Sequence, residues 1–243
     1  MITCIIQARM GSTRLPGKVM EKIVDDKKII DFVVDQLKSC KTIEKIIVAI
    51  PDSIEDEITF KHLTSRNIQV FQGSLKNVLD RYYQCAKIAS SSVIIRITAD
   101  CPLIDPEIVD KVVTKFIENE FDYVANTHPR TFPYGTETEV FSFNALETAW
   151  KETKDDFDQE HVTPYFYKNL DKFKIGNLSQ EENLSNYRWT VDYKEDLEFV
   201  KFVVNNITKK PILTNDILDL IEKNPDILKI NKKHNHEHLE TKI

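Results

Sequence analysis

Glycine is scarce in this chain, 5 of 243 residues against 9 prolines. The dinucleotide fingerprint Gly-x-Gly-x-x-Gly is absent. A P-loop is excluded as well: five residues separate Gly11 from Gly17, one too many, and Val19 instead of Ser or Thr follows Lys18. The 4 cysteines, Cys4, Cys40, Cys85 and Cys101, never fall in Cys-x-x-Cys spacing. Each sits in an apolar or element-ending context, which favours buried reduced thiols over zinc or a disulfide framework. No apolar run is long enough to cross a bilayer, and Met1 leads straight into a strand-like segment with no basic leader, so the expected location is the cytoplasm. Positive charge is outnumbered, 33 Lys and Arg against 39 Asp and Glu, a net charge of −6. That balance argues against non-specific nucleic-acid binding, which needs a broad basic face. With 41% hydrophobic and 30% charged residues, the chain has the composition of a globular protein whose core fits one generous domain.

Against this acidic whole stands a basic opening. Ile2 to Ile6 is an apolar run that reads as a buried strand, and it empties into a loop carrying Arg9, Arg14 and Lys18 with Gly11 and Gly17 as flexible points. A nucleoside triphosphate carries roughly four negative charges, and backbone N–H groups with fixed cations are what such a ligand needs. Arg supplies bidentate phosphate contacts and Lys a point charge. An ordinary basic surface turn is the plain alternative.

Apolar periodicity predicts a helix over 29–38, a strand over 44–50, a helix ending near Leu63, a short strand over 68–71 and a Ser-capped helix over 75–89. A strand over 93–97, a helix over 107–118 and a strand over 121–125 follow; 137–141 alternates like an edge strand, and a helix closes at Trp150. The pattern next predicts a strand over 187–191 and helices over 194–205 and 215–222, then a polar, solvated tail over 223–243. That rhythm implies an α/β fold, a mostly parallel sheet with helices on both faces. The expected division is one nucleotide-handling domain, 1–222, including a small mixed strand and helix extension, then the tail.

Ligands of open α/β sheets bind at the carboxyl ends of strands. Asp100 stands there, just past a buried strand and stiffened by Pro102, where one or two carboxylates suit Mg²⁺. Asp105, before Pro106, reads better as a helix N-cap. Asp192, at the end of the 187–191 segment, has the same two readings, metal ligand or cap. Asp80 and Arg81 read as a solvated pair on an amphipathic helix, Arg130 as a surface residue, and His161 as a satisfied histidine beside an apolar run. His234, His236 and His238 alternate in the tail, where adventitious metal binding is the alternative to plain solvation.

The stretch Gln7-Ala-Arg-Met-Gly-Ser-Thr-Arg-Leu-Pro-Gly-Lys18 resembles the opening motif of the sugar-acid cytidylyltransferases, the group of the CMP-Kdo and CMP-sialic acid synthetases, and within it the branch of spore coat polysaccharide biosynthesis protein F. The resemblance spans roughly residues 1 to 205. It implies a GT-A-like (Rossmann-like) fold, CTP and a small-molecule acceptor as substrates, Mg²⁺ on Asp100 and Asp192, and an enzyme expected to be a homodimer. It implies catalytic roles for Lys18, Arg14 and Asp100. Nucleotide contacts would come from Ala8, Arg9, Gly11, Ser12, Arg14 and Lys18 with Gly73, Ser74, Asp80 and Arg81, and acceptor contacts from Arg130, Glu137, Glu139 and His161. Tyr134-Gly-Thr-Glu-Thr-Glu139 and Glu160-His161 depart from the Kdo-enzyme pattern, so another base or acceptor stays open. A GT-A glycosyltransferase and a non-catalytic nucleotide-binding module are further alternatives. Asp100 is followed by Cys101-Pro102, not by the Asp-x-Asp pair expected of the glycosyltransferase.

Overall fold

In a computed structural model of the chain, which describes residues 1–234, β1 (Ile2–Gln7) is an interior strand, third in a seven-stranded sheet. β4 (Lys45–Pro51) and β6 (Val93–Thr98) flank β1 in parallel register, Ile5 lying opposite Ile47 on one side and Arg96 on the other. β5 (Gln69–Gly73) extends the sheet beyond β4. On the far side come β8 (Glu139–Ser142), β7 (Tyr123–Ala125) and β9 (Ile175–Asn177), and only β8 runs against the others. A separate small hairpin pairs β2 (Lys22–Val24) with β3 (Lys27–Lys28).

Central strands are buried on both faces, and their residues divide accordingly. Cys4 and Ile6 with Ile95 and Ile97 face α1 (Ile29–Leu37), α2 (Glu57–Ser65) and α4 (Pro106–Glu118). Ile5 and Ile94 face α3 (Val78–Ile88), α5 (Phe143–Glu152) and α7 (Pro164–Lys168). Short α6 (Asp156–His161) precedes α7. A third apolar cluster joins Leu15, Ile23 and Trp189 to α8 (Lys194–Asn206) and α9 (Thr214–Lys223), and this is the small extension. Among the described residues no helix is long and apolar enough to cross a membrane.

Several local expectations change. β8 is interior to the sheet, not an edge, because Glu139 is buried against Arg96 of β6 and the Tyr123 hydroxyl of β7, which donates to it at 2.7 Å. Residues 187–191 form no strand; Arg188 makes one isolated bridge to Tyr134 while Trp189 and Val191 bury in the third cluster. The helix expected from Leu75 starts at Val78, with Asn77 as its cap accepting from the Asp80 N–H at 2.8 Å. Asp105 caps α4 as expected, accepting from the N–H of Glu107 at 2.8 Å. The chain over 225–234 is not a solvated tail: it folds into two 3₁₀ turns, Pro225–Lys229 and Lys232–His234, and buries Ile227, Asn231 and His234. His236 and His238 lie outside the described residues. All four thiols are free, Cys40 half-buried and the others buried, and burial pushes the Cys4 and Cys101 thiols well up from their ordinary range.

The Arg96–Glu139 pair supports a first prediction. Burial alone would raise the Glu139 pKa, but Arg96, Tyr123 and Thr163 outweigh it and hold it below 4.5. Glu139→Gln keeps the shape and strands a buried guanidinium, which should cost about 3 kcal/mol in urea unfolding. A depressed folded pKa contributes stability above the unfolded value, so the difference from wild type should be full above about pH 4.5 and shrink as the pH falls below it. A difference that stays constant into acid would show that the charge pair is not its source.

Candidate active site

Strand β1 ends at Gln7, and the following loop is tied down before it turns. The Ala8 N–H donates to the Ala49 carbonyl at 3.2 Å, and the Met10 N–H to Asp56 Oδ1 at 2.8 Å. The Met10 carbonyl then accepts the N–H groups of both Ser12 and Gly17, each at 2.9 Å, with Gly17 in the left-handed region at φ 71°. This closes residues 10–17 into a compact loop that delivers Lys18 inward.

Lys18 is 8% exposed, and its Nζ donates to Asp100 Oδ2 at 2.8 Å, Asp192 Oδ1 at 2.8 Å and the Val191 carbonyl at 2.9 Å. One ammonium therefore sits between two carboxylates that are far apart in sequence and converge in space. Burial pulls the Lys18 pKa down, but Asp100 and Asp192 outweigh it and hold it above the ordinary lysine value. For Asp100, burial and the neighbouring Asp192 push upward, while Lys18 and the Thr98 hydroxyl hold it below the usual carboxylate range. Asp192 is further engaged by Arg14 Nη2 on Oδ1 at 2.7 Å and by Arg188 Nη2 on Oδ2 at 2.9 Å.

Lys18, Asp100 and Arg14 border a cleft of about 330 Å³, while Asp192 and Arg188 stand behind that lining. Its walls include Ala8, Arg9, Ser12, Arg14 and Lys18 from the opening loop, Arg81 from α3, Asp100 from the end of β6, and His161 from α6. Gln7, Arg96, Thr98 and Glu160 also line it and were missed in the sequence reading. The signal was available: positions 96, 98 and 100 alternate on one face of β6, so Asp100 implies Thr98 and Arg96 beneath it. Arg81 is 1% exposed, donates from Nη1 to the Ser74 carbonyl at 2.7 Å, and has no hydrogen-bond partner for its buried Nε. Burial lowers its pKa from the ordinary arginine value. Glu160 reaches across the mouth to Arg9 at 3.7 Å. Burial lowers the His161 pKa from its ordinary value against the pull of Glu160, with Arg96 and Arg9 adding to the lowering.

Other candidates stand away from the cleft wall. Asp80 accepts from Trp150 Nε1 at 2.9 Å and Gln84 Nε2 at 3.0 Å, so it braces α3 against α5 instead of facing a ligand. Gly73 gives Arg81 room, since a Cβ there would lie 3.0 Å from Arg81 Cγ and 2.8 Å from the Phe71 ring. Ser74 contributes its carbonyl to Arg81, and Gly11 is absent from the cleft lining. Arg130 pairs with Glu137 at 2.5 Å and lies 3.8 Å over the Tyr134 ring, so both charges are spent on each other. Glu139 is buried under the floor in its pair with Arg96.

The family model described as cytidylyltransferase matches residues 3–233. The chain belongs to the cytidylyltransferase family. This cytidylyltransferase is 33% identical over 233 residues to the spore coat polysaccharide biosynthesis protein SpsF of Bacillus subtilis, covering 93% of this chain and 95% of that protein. It is 35% identical to a cytidylyltransferase of known structure from Leptospira borgpetersenii, with a TM-score of 0.88 and coverage of 93% and 95%. The CMP:2-keto-3-deoxy-manno-octonic acid synthetase solved with CTP shares the fold at 16% identity, with a TM-score of 0.63 and coverage of 84% and 98%. The chain is accordingly a CTP-dependent nucleotidyltransferase on the nucleotide-sugar transferase fold.

Two carboxylates already sharing one cation are a donor set that suits a divalent metal completed by phosphate oxygens. Among the described residues no group of three or more His, Cys, Asp or Glu could hold a metal. Asp100 and Asp192 fit the role, with the Lys18 ammonium standing in for the ion.

Proposed function

We propose that the cleft holds CTP with its triphosphate against Arg9, Ser12, Arg14 and Lys18 and transfers the cytidylyl group to a sugar acid or related precursor of a surface polysaccharide. An acceptor hydroxyl attacks the α-phosphorus in line, the bond to the β-phosphate oxygen breaks, and pyrophosphate leaves. The observation that carries this reading is Lys18 Nζ seated 2.8 Å from both Asp100 and Asp192, two carboxylates far apart in the chain. The name of the Bacillus subtilis relative and the CTP-bound synthetase support the choice of acceptor class and nucleotide.

Each residue has a bounded task. Lys18 and Arg14 neutralise the charge that builds on phosphate oxygens as the bond breaks. Ser12 and the backbone of the 10–17 loop fix the triphosphate, and Arg81 adds positive charge to the cleft wall. Asp100 and Asp192 would hold Mg²⁺, which when bound neutralises phosphate charge and lowers the acceptor hydroxyl's pKa. Arg96 and His161 line the remaining end of the cleft and orient the acceptor. Positioning and electrostatics supply most of the rate, and little side-chain acid–base chemistry is needed.

Screening the four nucleoside triphosphates with Mg²⁺ against a panel of sugar acids, with pyrophosphate as readout, should single out CTP and at least one anionic sugar. Equal pyrophosphate release from all four nucleotides would overturn the assignment of the base. Release unaffected by the acceptor would overturn the transfer.

A further inference from the structure

Residues 225–234 do not line the cleft, yet they close on its back wall. Asn231, 3% exposed, donates from Nδ2 to the Arg188 carbonyl at 3.1 Å and to Asp196 Oδ1 at 3.0 Å. The His234 ring stacks on Tyr193 with centroids 3.8 Å apart and planes 4° apart, and its Nε2 lies 3.2 Å from Glu195. Arg188, Asp196 and Tyr193 each connect to the site, through Asp192 or Arg14. Arg188 is gripped by Asp196 at 3.0 and 3.1 Å, and its Nη2 then donates to Asp192 Oδ2. Asp196 also accepts the N–H groups of Asp192 at 2.9 Å and Tyr193 at 3.0 Å, which fixes the backbone that carries the carboxylate. The Tyr193 ring lies 5.6 Å beneath the Arg14 guanidinium carbon.

We propose that Asn231 and His234 are positioning residues of the transfer reaction: the C-terminal 3₁₀ segment sets Asp192 and Arg14 from behind. The physical route is one of constraint. A carboxylate at the head of a helix can turn about its χ angles, and here its Oδ2 is taken by Arg188, so only Oδ1 is presented to the cation. That arrangement holds while Arg188 and Asp196 stay in place, and Asn231 bonds to both. The stack of His234 under Tyr193 does the same for Arg14, by fixing the surface on which its guanidinium rests. Partners one layer behind a metal ligand typically change metal affinity or activity by about 10- to 100-fold when removed. The proposal rests on the reading of Asp192 as a cation-binding carboxylate.

The test compares full-length Asn231→Ala, His234→Ala, His234→Phe and Asp192→Asn with wild type, measuring Mn²⁺ binding in the presence of CTP by water-proton relaxation, together with kcat and KM well below each Tm. Ile221→Ala, a buried change in the same apolar cluster, controls for plain loss of stability. Asn231→Ala should raise the Mn²⁺ dissociation constant about 10-fold. His234→Ala should lower kcat by a similar factor, and His234→Phe, which keeps the stack, should restore it to within about twofold of wild type. The inference is overturned if Asn231→Ala binds Mn²⁺ as wild type does, or if Ile221→Ala shows the same shift at equal loss of Tm. If Asp192→Asn itself leaves Mn²⁺ binding unchanged, the metal reading of Asp192 falls; if Asp192→Asn shifts it and Asn231→Ala does not, only the positioning role falls.

Discussion

Lys18→Met should lower CTP-dependent pyrophosphate release by about 10³-fold, because one preorganised donor at a developing oxyanion is worth that much. The variant removes the ammonium that bridges Asp100 and Asp192. Asp192 keeps Arg14 and Arg188, but Asp100 is left with two neutral donors, the Thr98 hydroxyl at 2.6 Å and the Cys101 thiol at 3.5 Å. Separate effects on folding and on catalysis are therefore expected. The fold loses part of a buried ion pair, and breaking such a pair costs about 3 to 5 kcal/mol when nothing replaces the lost charge. Here a divalent cation can replace it. Raising Mg²⁺ should restore Tm in Lys18→Met more than it raises Tm in wild type, while turnover stays low because the cation that follows the phosphates is missing. Undiminished turnover in Lys18→Met would remove this residue from the reaction, and a Tm insensitive to Mg²⁺ would remove the metal from the Asp100–Asp192 gap.

Gly135→Ala should cost about 3 kcal/mol or more in chemical denaturation. Gly135 has φ +100°, a region that L side chains avoid, and a Cβ there would lie 2.6 Å from both the Thr190 nitrogen and the Trp189 carbonyl carbon. Backbone cannot yield as a side-chain tip can. The Trp189 N–H donates to the Tyr134 carbonyl at 2.6 Å and the Tyr134 N–H to the Tyr187 carbonyl at 2.9 Å, so the two segments are held against each other at this glycine. Forcing them apart moves Thr190, and Asp192 stands two residues further on. Loss of CTP turnover should accompany loss of stability. Gly11→Ala is the contrast: a Cβ there meets nothing within 4 Å, so stability should change by no more than about 0.5 kcal/mol. Equal stability losses in the two variants would contradict this account of the loop packing.

That contrast shows where sequence reading runs out. Gly11 drew notice because it sits in a basic motif, whereas Gly135 looked like one more loop residue; only the approach of residues 189–190, some fifty positions away in the chain, makes it indispensable. The sheet was readable because β1, β4 and β6 are continuous apolar runs, as strands buried on both faces must be. β8 misled because Glu137-Thr-Glu139 has the polar alternation of an edge, and the neutralising partner of Glu139 lies on another strand. Tyr187-Arg-Trp-Thr-Val191 misled in the opposite sense. Its alternation is real, but it reflects burial of Trp189 and Val191 on one side and the Arg188–Asp196 network on the other, with no ladder of strand hydrogen bonds. The polar composition after residue 223 suggested solvent, yet Asn231 and His234 are polar because what they meet is a buried carboxylate and a tyrosine ring.

Of the cleft itself, the opening loop and Asp100 were legible because a basic loop and a carboxylate follow apolar strands, and both line it. The acceptor end was not. Arg130 and Glu137 have the right chemistry for an anionic sugar but neutralise each other, and Arg96, hidden inside an apolar strand, lines the cleft in their place.

The central claim is attack at the α-phosphorus of CTP with the cytidylyl group retained on the acceptor. Parallel reactions with α-labelled and γ-labelled CTP, run with a sugar acid that supports pyrophosphate release, test it most directly. The account predicts that the α label moves to the nucleotide sugar and the γ label appears only in pyrophosphate. Transfer of the γ label to the sugar, or an α label that never leaves free nucleotide, would contradict it.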